Sequence, residues 1–151
     1  MWPDPQVEKL VNGEFIPVRL HVREQADDFK RVGERYGAEW TPTTLMLDSS
    51  GMERHRIEGF LPVAEFVPQL EFGLARIEFS SGDFGAAEHR FRKIVEDSAD
   101  ADIAPESLYW AGVAKYKGAG DATALNETTL ALRKRYPESS WTKKASVWAK
   151  D

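Results

Sequence analysis

The sequence predicts an α/β unit with a small sheet, followed by an all-α run of paired amphipathic helices. Three observations carry this. Apolar residues alternate at period two only before residue 60. From Val63 onward they recur at three and four spacing and no strand pattern returns. The later helical stretches are separated by breaker pairs, among them Gly82-Asp83, Gly120-Asp121 and Pro137-Glu138. The 151 residues therefore divide into 1–70 and 71–151. Each part is marginal alone at that size, so the two are expected to pack on each other.

The elements follow in order. Asp4-Pro5 starts a helix, because Asp caps the free amides and Pro loses nothing at the first helical position. That helix is expected over 5–11, stopped by Asn12-Gly13. Residues 15–22 put Ile16, Val18, Leu20 and Val22 on one face and predict a strand, with Pro17 near its start. Phe29, Val32 and Tyr36 give one apolar stripe to a helix over 26–36, closed by Gly37. Trp40-Thr41-Pro42-Thr43 introduces a short buried-type strand ending at Leu47. Asp48-Ser49-Ser50-Gly51 is turn chemistry, and 53–58 forms the return strand of one hairpin, broken by Gly59. Five helices follow over 63–80, 84–97, 105–117, 122–136 and 140–150. Pro68 either kinks the first of these or falls in its first turn, if that helix begins later.

Composition narrows the function. Apolar residues make up 42% and charged residues 30%, which is globular rather than disordered composition. A net charge of −5 argues against nucleic-acid binding. The basic clusters Arg133-Lys134-Arg135 and Lys143-Lys144 read as helix C-termini answering the helix dipole. There is no cysteine, so no disulfide, thiolate nucleophile or cysteine metal site exists in this chain. No apolar run reaches the ~18 residues of a membrane span, and Met1-Trp2-Pro3-Asp4-Pro5 is not a signal peptide. Cytoplasm is the expected compartment, with no membrane partner. His21, His55 and His89 lack metal-ligand spacing, and the acidic run 96–102 lacks the Gly and Glu of a calcium loop. The Ser-Ser-Gly turns are not nucleophile elbows, and Gly118-Ala119-Gly120 is not a phosphate loop. No catalytic residue, metal or cofactor is expected.

Two resemblances add to this reading. The order helix, strand, helix, Thr41-Pro42-Thr43, hairpin, Gly59-Phe60, helix resembles the C-terminal part of the thioredoxin fold, over roughly residues 4–76. The resemblance implies a cis peptide bond before Pro42, and Trp40, Thr41 and Pro42 as the place where an extended peptide would lie. That family's first strand and Cys-x-x-Cys helix start would precede Asp4 and are not in this chain. Further on, Leu74-Ala75, Gly82-Asp83-Phe84, Ala87, Phe91 and Ile94-Val95 resemble a tetratricopeptide repeat. A second unit runs through Leu108, Trp110-Ala111-Gly112, Ala114, Tyr116, Gly120-Asp121, Leu125, Leu132 and Tyr136-Pro137. Across the two units small residues such as Ala75, Ala87, Gly112 and Ala114 let helices approach, while Phe84, Phe91, Trp110 and Tyr116 fill the layers between them. Trp141 and Trp148 give the last helix an apolar stripe as a cap.

The expected function is a non-catalytic protein-binding or scaffolding role, with another polypeptide or a second copy of the chain as partner. The alternative is the C-terminal fragment of a thiol-disulfide oxidoreductase whose Cys-x-x-Cys segment lies upstream. Without the first strand of that fold, the strand over 15–22 either pairs directly with the hairpin or leaves an open edge. An open apolar edge recruits another strand.

Overall fold

A computed structural model describes residues 4–149. Seven helices and one two-stranded antiparallel sheet occur among them, in the order α1 (Pro5–Glu14), α2 (Ala26–Tyr36), β1 (Thr43–Leu47), β2 (Glu53–Glu58), α3 (Val63–Ser81), α4 (Phe84–Asp97), α5 (Ala104–Ala119), α6 (Thr123–Arg135) and α7 (Ser140–Ala145). A 3₁₀ turn, Ser146–Trp148, follows α7.

The hairpin is the centre of the first half. Thr43 pairs with Glu58, Thr44 with Ile57, Leu45 with Arg56 and Met46 with His55, and a bulge lies between Met46 and Leu47. The Asp48 carboxylate closes the turn by accepting from the Ser50 amide and hydroxyl, the Met52 amide and Arg54 Nε. Those donors hold its carboxyl well below the usual carboxylate range, the Ser50 hydroxyl first and Arg54 next. One face of the hairpin buries Met46 and Ile57 against Val7 and Val11 of α1 and Phe66 and Leu70 of α3. Arg56 is also bound to α2. It donates to the Tyr36 and Gly37 carbonyls at the end of α2, while Glu53 and Glu58 hold its guanidinium.

The helical half is a succession of neighbours. The Phe72 and Phe91 rings meet at 5.3 Å and Phe79 meets Phe84 at 5.2 Å, so α3 and α4 run antiparallel. Lys115 pairs with Glu127 at 3.0 Å and Leu108 shares a core with Leu132, so α5 and α6 do the same. Each Gly-Asp pair performs both halves of a turn. Gly82 and Gly120 end their helices at φ of 88° and 70°, a conformation that favours glycine. Asp83 then accepts from the Ala86 amide at 3.1 Å, and Asp121 from Thr123 at 2.9 Å. Ala75, Ala87, Gly112 and Ala114 are buried where the helices cross. A Cβ on Gly112 would lie 2.0 Å from Thr128 Oγ1, so only glycine permits that approach of α5 to α6.

α3 joins the two halves and passes through the expected boundary at residue 70. Its first turns give Phe66 and Leu70 to the sheet core, and its later turns give Phe72 and Ala75 to the helical core. Gly73 lies directly under Met46. Pro68 sits past the first turn, buried, in a helix that begins at Val63.

Four expectations need correction. α1 continues through Asn12 and Gly13 to Glu14, because nothing there forces a left-handed stop. Residues 15–22 are not a strand. No neighbouring strand offers them a ladder, and local bonds turn the chain instead: His21 Nδ1 accepts from the Arg23 and Glu24 amides, and Gln25 Oε1 accepts from the His21 amide. Tyr116 does not fill a layer but stays 40% exposed. The last helix ends at Ala145 and tightens into the 3₁₀ turn; residue 150 of the expected helix lies outside the described residues. No helix among the described residues is long and apolar enough to cross a membrane.

Candidate functional site

Trp40, Thr41 and Pro42 lead into β1, and all three are exposed. The Thr43 hydroxyl donates to the Trp40 carbonyl at 2.6 Å and fixes the approach. The Thr41–Pro42 bond is cis, as the sequence led us to expect. The Gly59 amide donates to the Pro42 carbonyl at 2.8 Å, which brings Phe60 to the same end of the hairpin. Trp40 is 71% exposed and Phe60 83% exposed. Two large exposed rings thus belong to the segments that the Pro42–Gly59 bond joins at one end of the hairpin. Phe60 was not among the residues singled out as a site. Its signal was available in the sequence: a lone aromatic between Gly59 and the Pro62 that caps α3, at a position with no helix or strand face to bury it.

The register tells which backbone groups are free. The Pro42–Gly59 bond makes that pair hydrogen-bonded, and alternation makes Thr44–Ile57 and Met46–His55 hydrogen-bonded too. The amides and carbonyls of Thr43 and Leu45 therefore point away from β2, along an edge that no third strand covers among the described residues. This edge begins at Pro42, directly after the exposed Trp40 and Thr41 in sequence.

A second cluster lies among the helices, between α3 and α5. The Arg76 guanidinium rests on the Trp110 ring at 4.0 Å, and Trp110 Nε1 donates to Glu106 at 3.4 Å. Burial pushes the Glu106 carboxyl above its ordinary range and the Arg76 guanidinium below its own. Arg76 Nη1 is buried without a hydrogen-bond acceptor, and the ring face carries the charge instead. Trp110 continues into a stack of rings: Tyr109 packs on Trp141 and Trp148 at 5.0 and 4.5 Å. Sequence pattern found these aromatics but not Arg76, whose position on α3 carries no distinguishing signal.

The histidines stay apart. His21 caps a turn, His89 is exposed on α4, and His55 is half-buried with its Nε2 2.6 Å from Gln69 Oε1. Burial lowers the His55 pKa from its ordinary value, against the opposing pull of Gln69. Arg133, Lys134 and Arg135 occupy the last turn of α6, and Arg135 donates to the Val95 carbonyl at 3.2 Å.

Together these elements define an α/β domain whose sheet is a single hairpin between helices, without a thiol. Residues 1–74 match the family model for a thioredoxin-like domain, so a thioredoxin-like domain is present in the first half of the chain. A search of curated proteins finds no match.

Proposed function

We propose that this chain is a non-catalytic polypeptide-binding protein. In this reading an extended segment of a partner lies across Trp40, Thr41 and Pro42 and continues along the free edge of β1. The observation that carries it is the presence of two exposed rings, Trp40 and Phe60, at the end of a hairpin whose Thr43 and Leu45 backbone groups face away from β2, with no third strand beside them among the described residues. Backbone pairing supplies affinity in strand addition, and flanking apolar side chains supply selectivity. In this reading the helical half is a support of the tetratricopeptide type, for which its two Gly-Asp turns and buried small residues speak. Since the chain has no cysteine, it can form no mixed disulfide, and binding cannot proceed to exchange.

Panning the protein against a random peptide library tests this. Selected peptides should be apolar and extended, and Trp40→Ala with Phe60→Ala should weaken them by about tenfold or more. Peptides that bind the double variant as well as the parent would contradict the reading.

The thioredoxin-like match on a cysteine-free chain also supports a second reading, a fragment of a thiol-disulfide oxidoreductase. The gene immediately upstream decides it. An in-frame Cys-x-x-Cys after an apolar strand would establish the second reading; its absence would remove it.

A further inference from the structure

Residues 15–22 are the counterpart of the open edge. Ile16 is 94% exposed and Val18 79% exposed, in an irregular stretch whose sequence alternates as a strand does. Phe15 packs against the sheet core at one end, and a locally bonded turn begins at His21 at the other. The stretch between is long enough for the task. Eight extended residues span about 26 Å, against about 17 Å for the five of β1. The charges also match. Residues 15–23 carry Arg19 and Arg23 with no acid, whereas residues 39–58 carry Glu39, Asp48, Glu53 and Glu58 against Arg54 and Arg56.

We propose that two copies of this chain associate by reciprocal strand addition, residues 15–22 of each copy pairing with the β1 edge of the other. This names the partner within the polypeptide-binding reading above and rests on the same edge. Ile16, Val18 and Leu20 then continue the apolar face of Thr44 and Met46, and Arg19 and His21 fall on the face of Leu45. The arrangement is two-fold and self-complementary, so it closes at two copies instead of growing into a filament. It covers both unpaired edges and both exposed apolar rows in one step.

Sedimentation equilibrium of the full chain tests it. At about 1 mM the protein should sediment at twice 17.1 kDa. Ile16→Glu with Val18→Glu should raise the dissociation constant by about tenfold or more, with an unchanged circular dichroism spectrum, because neither side chain is buried in the single chain. The cysteine-free background allows a direct trap. Val18→Cys mixed with Thr44→Cys should oxidise to a covalent heterodimer, while Val147→Cys, exposed on the far helix, mixed with Thr44→Cys should not. A monomer at that concentration would overturn the proposal. So would a Val18→Cys, Thr44→Cys double variant that closes within one chain. Either result leaves the peptide reading standing if library peptides still lose affinity with Trp40→Ala.

Discussion

α2 and α4 make an instructive pair. Each is amphipathic and carries one apolar stripe. α4 buries Ala87, Phe91, Ile94 and Val95 between α3 and α5, whereas α2 buries none of its eleven residues. Helical periodicity specifies the helix in both cases but not what covers it. In the second half each helix finds its partner next in sequence, and Gly-Asp turns join α3 to α4 and α5 to α6. In the first half the partner of an apolar row must come from far along the chain or from outside it. Residues 15–22 show the consequence, with a strand pattern and no strand.

The sharpest contrast between the halves is in side-chain truncation. Phe91 is fully buried against Phe72, and Phe91→Ala should cost about 3–5 kcal/mol by denaturant unfolding. Val18→Ala should change stability of the dilute chain by no more than about 0.5 kcal/mol. Equal effects would erase the distinction.

Glycines break the comparison more finely. Gly112→Ala sets a methyl group against Thr128 and should cost about 1–3 kcal/mol. Gly13→Ala, with open space around it inside α1, should stabilise by about 0.5 kcal/mol. Thermal melts of both variants give the sign directly.

The smallest effect expected is at the seam between the halves. Burial lowers the His55 pKa below its unfolded value, so the unfolded chain binds the proton more readily. The contribution of His55 is present above about pH 6.5 and is lost as the pH falls from there through the lower folded pKa. His55→Gln should flatten stability between about pH 7.5 and about pH 5.5 relative to the parent. A parent whose stability rises on acidification over that range would contradict the burial of this ring.

How much of this was legible in the sequence follows the same division. Helices α2 and α4 and strand β2 have the bounds that pattern and breakers gave, because Gly37, Gly59, Gly82 and Asp83 act on their immediate neighbours. The end of α1 was misplaced because Asn12-Gly13 is only a permissive stop, and no tertiary contact enforces it. Trp40, Thr41 and Pro42 were visible as a motif, and Phe60 was adjacent to it in pattern but joined to it only through the Gly59–Pro42 bond. The Arg76–Trp110 contact was not legible at all, since residues 34 apart meet there by helix packing alone.

Peptide binding and self-association both need the open edge of β1, and amide hydrogen exchange in dilute protein measures it most directly. The Leu45 amide, pointing away from β2, should exchange rapidly while the Met46 amide, bonded across the hairpin, is protected; raising the concentration should then slow Leu45. A Leu45 amide as protected as Met46 in the dilute chain would mean that a third strand already closes the sheet, and the edge could neither bind a peptide nor pair two copies.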